Sequence, residues 1–228
     1  MQTQVFETNH QALEIAVKIS TLIDDALKRQ PQFNLVLTGG TLGIAIAAEL
    51  AKQEIDWNRV RIWFGDERFV SLDDVDRNEA QAIAAWPQLA QLQLVRFPAP
   101  PMKLTEAAER FSADFSAEFG DLAAADSVFD LVLLGMGPDG HVASLFPGHE
   151  HPMQWIVAEA DSPKPPAERL SMSYEALNRS RRVWFVVSGA AKASALRSAM
   201  NGTELPAGRV RGMDETLWLL DREISDAL

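Results

Sequence analysis

The chain has 228 residues, of which 47% are hydrophobic, and this is enough apolar material for a substantial core. Its formal net charge of −11 disfavours nucleic acid as a partner, because that binding depends on basic side chains that neutralise phosphates. The chain contains no cysteine, which excludes disulfides, thiolate catalysis and Cys-ligated zinc.

The sequence also indicates where the protein is located and how its domains are organised. No stretch reaches the roughly 18 uninterrupted apolar residues that a membrane span needs. The first residues, MQTQVFETNHQ, lack a basic segment followed by an apolar one, so no signal peptide is expected. We therefore expect a cytoplasmic protein with no membrane partner. No linker rich in Pro, Gly or Ser divides the chain, which favours one α/β domain over residues 1–228.

The first elements alternate between strand and helix patterns. Val5 and Phe6 predict a short strand, and apolar residues at helical spacing predict a helix from Leu13 to about Arg29. Phe33–Thr38 is a short apolar run and predicts a buried strand. This order is typical of a strand–helix–strand unit.

A glycine turn follows that strand directly. It consists of Gly39, Gly40 and Thr41, and a helix is predicted over 42–53. Glycines at a helix start let backbone N–H groups approach an anion, which is how many proteins bind phosphate. Many strand-to-helix turns also carry two glycines, so the pattern alone leaves a phosphate site and an ordinary tight turn equally open.

The next strand is predicted over Val60–Phe64, and it ends in charged residues. Asp66 and Arg68 lie just beyond it, and the Arg68 guanidinium has the fork geometry that binds a phosphate or an oxyanion. An ion pair with Asp66 or Glu67 is the alternative for Arg68. Arg77 opens a short helix, where it either joins a cation cluster at the site or pairs with the acidic residues before it.

Further along, residues 92–97 predict a strand and residues 104–119 an amphipathic helix whose aromatic stripe belongs to the core. Phe129–Leu134 is a strongly apolar strand that breaks into the loop GMGPDGH. Open α/β sheets place their ligands at such carboxyl ends. Asp139 lies two residues from His141 in this loop, and a carboxylate there can orient an imidazole that handles protons.

The last part of the chain supplies three more cations. Strands are predicted over 155–159, 169–173, 183–188 and 217–220. Lys164 stands between prolines in a stiff loop, although on spacing alone an ordinary exposed linker is the better explanation. Arg169 begins a strand, and Lys192 lies in the first turn of a helix, where the macrodipole disfavours a cation unless an anion is held there.

Seven or eight strands that alternate with helices predict a doubly wound α/β fold, with a mostly parallel sheet and helices on both faces. The carboxyl ends of its strands converge on one edge. A cluster of Arg68, Lys164, Arg169 and Lys192, with Arg77 as a further candidate, would offset the acidic net charge there. The pattern points to a phosphorylated small molecule, with His141 as the group that handles protons.

The motifs resemble those of the glucosamine-6-phosphate isomerase/6-phosphogluconolactonase superfamily, and FDLVLLGMGPDGHVASLFPG closely resembles the 6-phosphogluconolactonase signature. TGG, GDER with a downstream RNEA, DSPKPPAERLS and GAAKASAL occur in the family's order and span most of the chain. The resemblance implies hydrolysis of a small phosphorylated sugar lactone, 6-phospho-D-glucono-1,5-lactone, without cofactor or metal. It implies a Rossmann-like three-layer fold, and we expect a monomer or weak homodimer.

The resemblance also implies roles for individual residues. His141 would be the general base that activates water, and Asp139 would position His141 or the substrate hydroxyls. The backbone of Gly39, Gly40 and Thr41 would bind phosphate together with Lys192. Arg68 and Arg169 would hold substrate or stabilise the oxyanion, with Asp66, Lys164 and Arg77 also at the site. The family's usual Ser-Asn is Arg77-Asn78 here, and its Ser-Thr-Pro after the glycines is Thr41-Leu42-Gly43.

Three alternatives stay open. Hexosamine-6-phosphate deaminases of the same superfamily share the Asp-Gly-His loop but carry a Glu five residues beyond the His, where this chain has Phe146. A non-catalytic sugar-phosphate sensor would need an attached DNA-binding module, which we do not expect ahead of the first strand of an acidic chain. A metal site at His141, His149 and His151 matches no metal-binding spacing.

Overall fold

The structure is a computed structural model that describes residues 2–124, 126–202 and 204–228. Ten strands lie within these ranges: β1 (Gln2–Phe6), β2 (Phe33–Leu37), β3 (Val60–Phe64), β4 (Asp66–Arg68), β5 (Gln93–Leu94), β6 (Phe129–Leu134), β7 (Ile156–Glu159), β8 (Arg169–Met172), β9 (Ser180–Val187) and β10 (Glu215–Asp221). The helices there are α1 (Gln11–Leu27), α2 (Gly40–Leu50), α3 (Asn78–Ala85), α4 (Leu104–Phe119), α5 (Tyr174–Asn178), α6 (Ala193–Met200), α7 (Pro206–Arg209) and α8 (Arg222–Asp226).

The central sheet has seven strands in the order β1-β10-β9-β6-β2-β3-β5, and every pairing in it is parallel. The chain adds strands outward from β2 through β3 to β5, then returns to β6 and continues through β9 to β10. Right-handed crossovers therefore place α1, α2 and α3 on one face and α4 and α6 on the other. This confirms the predicted doubly wound fold, and its switch point lies between β2 and β6.

A second, antiparallel sheet has the order β4-β8-β7. The predicted strands at 155–159 and 169–173 were expected in the alternating parallel arrangement, and that prediction was wrong. The nine-residue connection between β7 and β8 is too short for the crossover that a parallel pair requires, so these strands form a hairpin. β4 then pairs with β8 and carries Asp66 and Arg68 over the edge of the main sheet.

The core between sheet and helices contains the aromatic stripe of α4. Phe111 and Phe115 are buried, and Phe115 packs against Trp63 and Trp155 with ring centroids 5.0 and 5.6 Å apart. This confirms that the stripe belongs to the core. No helix in the described ranges is long and apolar enough to cross a membrane.

Candidate active site

A cleft opens at the carboxyl ends of β2 and β6, at the switch point of the sheet. Its volume is about 290 Å³, close to the lower end of the roughly 300–1,000 Å³ typical of small-molecule sites. The glycine turn, Asp66, Arg68, the loop after β6, the proline loop with Lys164, Arg169 and Lys192 all line it. The structure thus brings together the strand ends that the sequence analysis singled out.

The glycine turn forms the first wall. Gly39 is the N-cap of α2, and no side chain caps the N–H groups of its first turn. Gly40 has φ +76°, a conformation that favours glycine. The neighbouring loop is tied to this wall, because the Gly135 N–H donates to Thr38 Oγ1 over 3.2 Å. The uncapped N–H groups are therefore available to an anion in the cleft.

The loop after β6 supplies the imidazole. Nδ1 of His141 lies 2.5 Å from Oδ1 of Asp139, which also accepts the His141 backbone N–H over 3.3 Å. Gly137 is required beside this pair, since a Cβ there would overlap the His141 ring. With Nδ1 bonded to Asp139, Nε2 is the ring nitrogen left to act on a ligand.

The environment of His141 favours its neutral form. Burial lowers the pKa of His141 below its usual value, and the charge of Asp139 opposes that shift only in part. Nearby Lys164 also lowers the pKa of His141. Burial acts to raise the pKa of Asp139, but its interactions with His141 outweigh this and lower it. At neutral pH the pair is therefore an ionised carboxylate that orients a neutral imidazole, as a general base requires.

Phe146 provides the apolar side of the histidine environment. Its side chain is buried, and its ring centroid lies 4.8 Å from that of His141. This contact contributes to the desolvation that disfavours a charged imidazole. The position at which a deaminase would carry a carboxylate is therefore filled by an aromatic ring in contact with the base.

Two arginines face each other at the opposite wall. Arg68 of β4 is the direct cross-strand partner of Arg169 of β8. Like charges in that position destabilise a sheet, and an anion bound between them would offset the cost. Arg68 makes no ion pair within the described residues, so the alternative of a bridge to Asp66 or Glu67 is wrong; its Nη1 donates to the Asp76 carbonyl over 2.6 Å.

Arg169 also shapes the proline loop. Its Nε donates to the Pro166 carbonyl over 3.1 Å and its Nη2 to the Lys164 carbonyl over 3.0 Å. Burial lowers the pKa of Arg169 from its usual value. Much of the guanidinium is thus engaged in holding the loop that carries Lys164 at the cleft mouth. Arg68 has fewer internal partners than Arg169 and is the freer of the two to meet a ligand.

The two lysines extend the positive region toward the glycine turn. Lys192 is half-buried at the start of α6, and burial followed by the charge of Lys164 lowers its pKa. Lys164 itself is exposed, and it lies near enough to influence both His141 and Lys192. The cleft therefore supplies the local cations that the acidic net charge demands of an anion site.

Arg77 is not part of the site, and its predicted place in the cation cluster was wrong. Its side chain is fully buried, with Nε 3.3 Å from Glu79 and 3.8 Å from Glu67, and its Nη2 donates to the Phe97 carbonyl over 2.9 Å. The acidic loop before Arg77 suggested a surface position. In fact the arginine turns inward, because two buried carboxylates need a counter-charge.

Asp66 is held by two residues that the sequence analysis did not include in the site. Ser144 donates to Asp66 Oδ2 over 2.6 Å, and Asn78 Nδ2 lies 3.3 Å from Oδ1 and 2.9 Å from the Asp66 main-chain oxygen. Asn78 itself lines the cleft. The only sequence signal was its place beside Arg77 in the RNEA motif, and nothing local marked Ser144.

His149 and His151 do not join His141. His149 Nδ1 lies 2.8 Å from Glu159, and His151 Nε2 lies 3.7 Å from the same carboxylate. Across residues 2–124, 126–202 and 204–228, no group of three His, Cys, Asp or Glu side chains is arranged to hold a metal ion. His149 and His151 instead pack around a buried carboxylate at the base of the proline loop.

Comparison with known proteins supports the sequence resemblance. Residues 7–218 match the family described as glucosamine-6-phosphate isomerases/6-phosphogluconolactonase. The chain is 38% identical to the 6-phosphogluconolactonase of Mycobacterium leprae, over 90% of this chain and 89% of that protein. It is 35% identical to 6-phosphogluconolactonase 3, chloroplastic, of Arabidopsis thaliana, over 95% of this chain and 71% of that protein.

Solved structures agree with these sequence matches. The crystal structure of the 6-phosphogluconolactonase from Thermotoga maritima superposes with a TM-score of 0.85 at 28% identity, over 97% of this chain and 99% of that one. A monomeric glucosamine-6-phosphate deaminase superposes with a TM-score of 0.78 over both whole chains. At 20% identity, the second likeness shows a shared fold alone.

Proposed function

The chain belongs to the glucosamine-6-phosphate isomerase/6-phosphogluconolactonase family, and from that premise we propose that it hydrolyses 6-phospho-D-glucono-1,5-lactone to 6-phospho-D-gluconate. This is the second step of the oxidative pentose phosphate pathway. The observation that carries the proposal is His141, which is paired with Asp139 and lines a cleft that four cationic side chains also line.

In the first step, Nε2 of neutral His141 removes a proton from water as the water oxygen bonds to the lactone carbonyl carbon. The carbonyl oxygen gains the negative charge, and Arg68 is the side chain we assign to stabilise it. Asp139 stabilises the imidazolium that forms. General-base assistance contributes about 10²–10⁴-fold, and one well-placed oxyanion donor about 3–4 kcal/mol.

In the second step, the tetrahedral intermediate collapses and the bond from the carbonyl carbon to the ring oxygen breaks. The imidazolium returns its proton to that oxygen, which becomes a hydroxyl group of the product. A δ-lactone is an activated ester, so the reaction requires no covalent nucleophile. The backbone N–H groups of Gly40 and Thr41, together with Lys192, bind the phosphate away from the reacting carbonyl. Asp66 accepts hydrogen bonds from sugar hydroxyls, and Lys164 closes the mouth of the cleft.

Deamination of a hexosamine 6-phosphate is disfavoured by Phe146. A ring-opening reaction needs a further acid–base group near the imidazole, and the side chain in contact with His141 there is an apolar ring. The cytoplasmic location and the monomer or weak homodimer stay predictions.

An assay of two substrates tests the proposed function. The purified protein is given the phosphorylated lactone, with spontaneous hydrolysis subtracted, and separately glucosamine 6-phosphate with detection of ammonia. We expect rapid lactone hydrolysis and no ammonia. Ammonia release without lactonase activity would refute the assignment.

Asp139→Asn tests the carboxylate–imidazole pair. We expect kcat to fall by about 10- to 1,000-fold, because the neutral amide no longer stabilises the imidazolium. Since Asp139 raises the pKa of His141, losing its charge moves that pKa further down. An NMR titration of the His141 ring checks the direction. An unchanged or raised His141 pKa would contradict the assigned contact.

Lys192→Ala tests the phosphate site. Loss of a charge-assisted contact worth about 1.5–3 kcal/mol is expected to raise KM for the phosphorylated lactone by about 10- to 100-fold. Kinetics with unphosphorylated glucono-1,5-lactone should not change. Lys28→Ala is the matched control, because this exposed lysine follows α1 at the opposite end of the sheet. If Lys192→Ala and Lys28→Ala raised KM equally, the rise would be due to the change in net charge alone.

A further inference from the structure

Asn78 lies between two parts of the cleft. Its side-chain Nδ2 faces the main-chain oxygen and Oδ1 of Asp66, at 2.9 and 3.3 Å. On its other side it abuts the glycine turn, because the three atoms nearest to a Cβ built on Gly39 all belong to the Asn78 carboxamide. A Cβ there would overlap its oxygen. Asn78 therefore bridges the glycine turn and the carboxylate that faces the sugar.

The orientation of the carboxamide follows from chemistry. Both atoms on the Asp66 side are acceptors, so only the amide nitrogen can face them. The oxygen must then face Gly39, where it is buried and finds no hydrogen-bond partner among the described residues. A buried acceptor is rarely left unpaired without a functional reason. The carboxamide thus holds the turn at a set distance by contact, not by a hydrogen bond to it.

The backbone of Asn78 is fixed as firmly as its side chain. Its N–H donates to Glu67 Oε1 over 2.6 Å, and the same carboxylate accepts the Glu79 N–H through Oε2 over 3.0 Å. Glu67 is buried, and Arg77 provides its counter-charge at 3.8 Å. Asn78 is itself only 2% exposed. The residue is therefore a rigid spacer anchored at the start of α3.

We propose that Asn78 is a positioning residue that sets the spacing between the phosphate-binding turn and the end of the cleft that holds the sugar ring. This inference rests on the proposed function, which assigns the phosphate to the turn and the lactone to Asp66 and His141. The affinity for a ligand that spans both ends depends on this spacing, whereas the affinity for a ligand confined to one end does not. A misplacement of about 1 Å between reacting groups can cost about 10²-fold in rate.

Asn78→Ala is the first test, and its binding is compared for a long and a short ligand. Affinities are measured for 6-phospho-D-gluconate, which spans the cleft, and for inorganic phosphate, which occupies the turn alone. We expect the Kd of 6-phosphogluconate to rise at least about tenfold and kcat/KM for the lactone to fall about 10²-fold. The Kd of phosphate should stay within about twofold. The proposal would be overturned if Asn78→Ala raised the Kd of both ligands equally, or if it changed neither Kd.

Gly39→Ala approaches the same contact from the turn. Gly39 has φ −77°, which alanine adopts without strain, so the carboxamide of Asn78 is the obstacle to its methyl group. We expect Gly39→Ala alone to lower the affinity for 6-phosphogluconate. The Gly39→Ala/Asn78→Ala double variant should bind this ligand more tightly than Gly39→Ala does. A double variant that binds 6-phosphogluconate no better than Gly39→Ala does would overturn the proposal.

Asn34→Ala is the matched control. Asn34 is a partly buried asparagine whose Nδ2 donates to the Val128 carbonyl, but it lies at the opposite end of β2. Its replacement should leave the ratio of the two affinities unchanged. The binding measurements do not depend on turnover. A negative lactonase assay can therefore be distinguished from a result that contradicts the role proposed for Asn78.

Discussion

Replacing His141 with alanine is expected to lower kcat for lactone hydrolysis by about 10²–10⁴-fold, the range that a positioned general base contributes. The neutral imidazole is the group assigned to take a proton from water, and no other histidine lies at the reacting end of the cleft within the described residues. The affinity for 6-phosphogluconate should change little, since the glycine turn and Lys192 bind its phosphate. Kinetics and product binding are measured on the same preparation.

His10→Ala is the control for this experiment. His10 is exposed ahead of α1 and makes no capping hydrogen bond, so its loss should leave both kcat and affinity unchanged. If His141→Ala retained more than about a tenth of the wild-type kcat, His141 would not be the base. If it lost affinity and rate in equal measure, its role would be binding.

Replacing Arg77 with alanine is expected to destabilise the protein by about 3–5 kcal/mol, the cost of removing one partner from a buried ion pair. The change leaves Glu67 and Glu79 buried without their counter-charge. At roughly 2–4 °C per kcal/mol for a chain of this size, Tm should fall by about 10 °C. Thermal unfolding followed by circular dichroism measures the shift.

The loss should depend on pH. Burial raises the pKa of Glu67 to about 7, and Arg77 opposes that rise. Without Arg77 the pKa of Glu67 rises further, so the variant retains a proton that the wild type has already lost. Its stability deficit should therefore widen as the pH is raised through about 7.

Arg181→Ala is the comparison for Arg77. Arg181 is half-exposed and lies 3.7 Å from Asp214 and 3.8 Å from Asp130, so its loss should cost no more than about 1 kcal/mol. Similar Tm shifts for the two variants would contradict the structural role of Arg77. If Arg77→Lys raised KM and left Tm unchanged, Arg77 would have to contribute to substrate binding.

The sequence predicted the elements better than their partners. The apolar runs of β2, β3 and β6 and the stripe of α4 are local patterns, and each was located to within a residue or two. Which strands pair is set by contacts between distant residues. The antiparallel sheet was missed for that reason, since Asp66–Arg68 is too short and too polar to predict a strand without β8 beside it.

The candidate site shows the same limit. Asp139 and His141 are two residues apart, so their pairing is visible in the sequence, and the glycines around them mark the turn. Arg77 and Asn78 are adjacent in the sequence, but the Arg77 side chain is buried in the core whereas Asn78 lines the cleft. Asn78 is held by Glu67 and Asp66, which are eleven and twelve residues away, and Arg77 is held in part by Glu67, ten residues away. No local pattern contains that information.

The dependence of kcat on pH, measured for the wild type and for Asp139→Asn, tests the central claim that neutral His141 is the base. Because burial lowers the pKa of His141, we expect kcat to be constant at neutral pH and to fall along one acid limb centred below 6.5. In Asp139→Asn that limb should move to lower pH, whereas a limb set by the substrate phosphate would stay in place. A wild-type acid limb centred above 6.5, or a limb that the substitution leaves unmoved, would contradict the account.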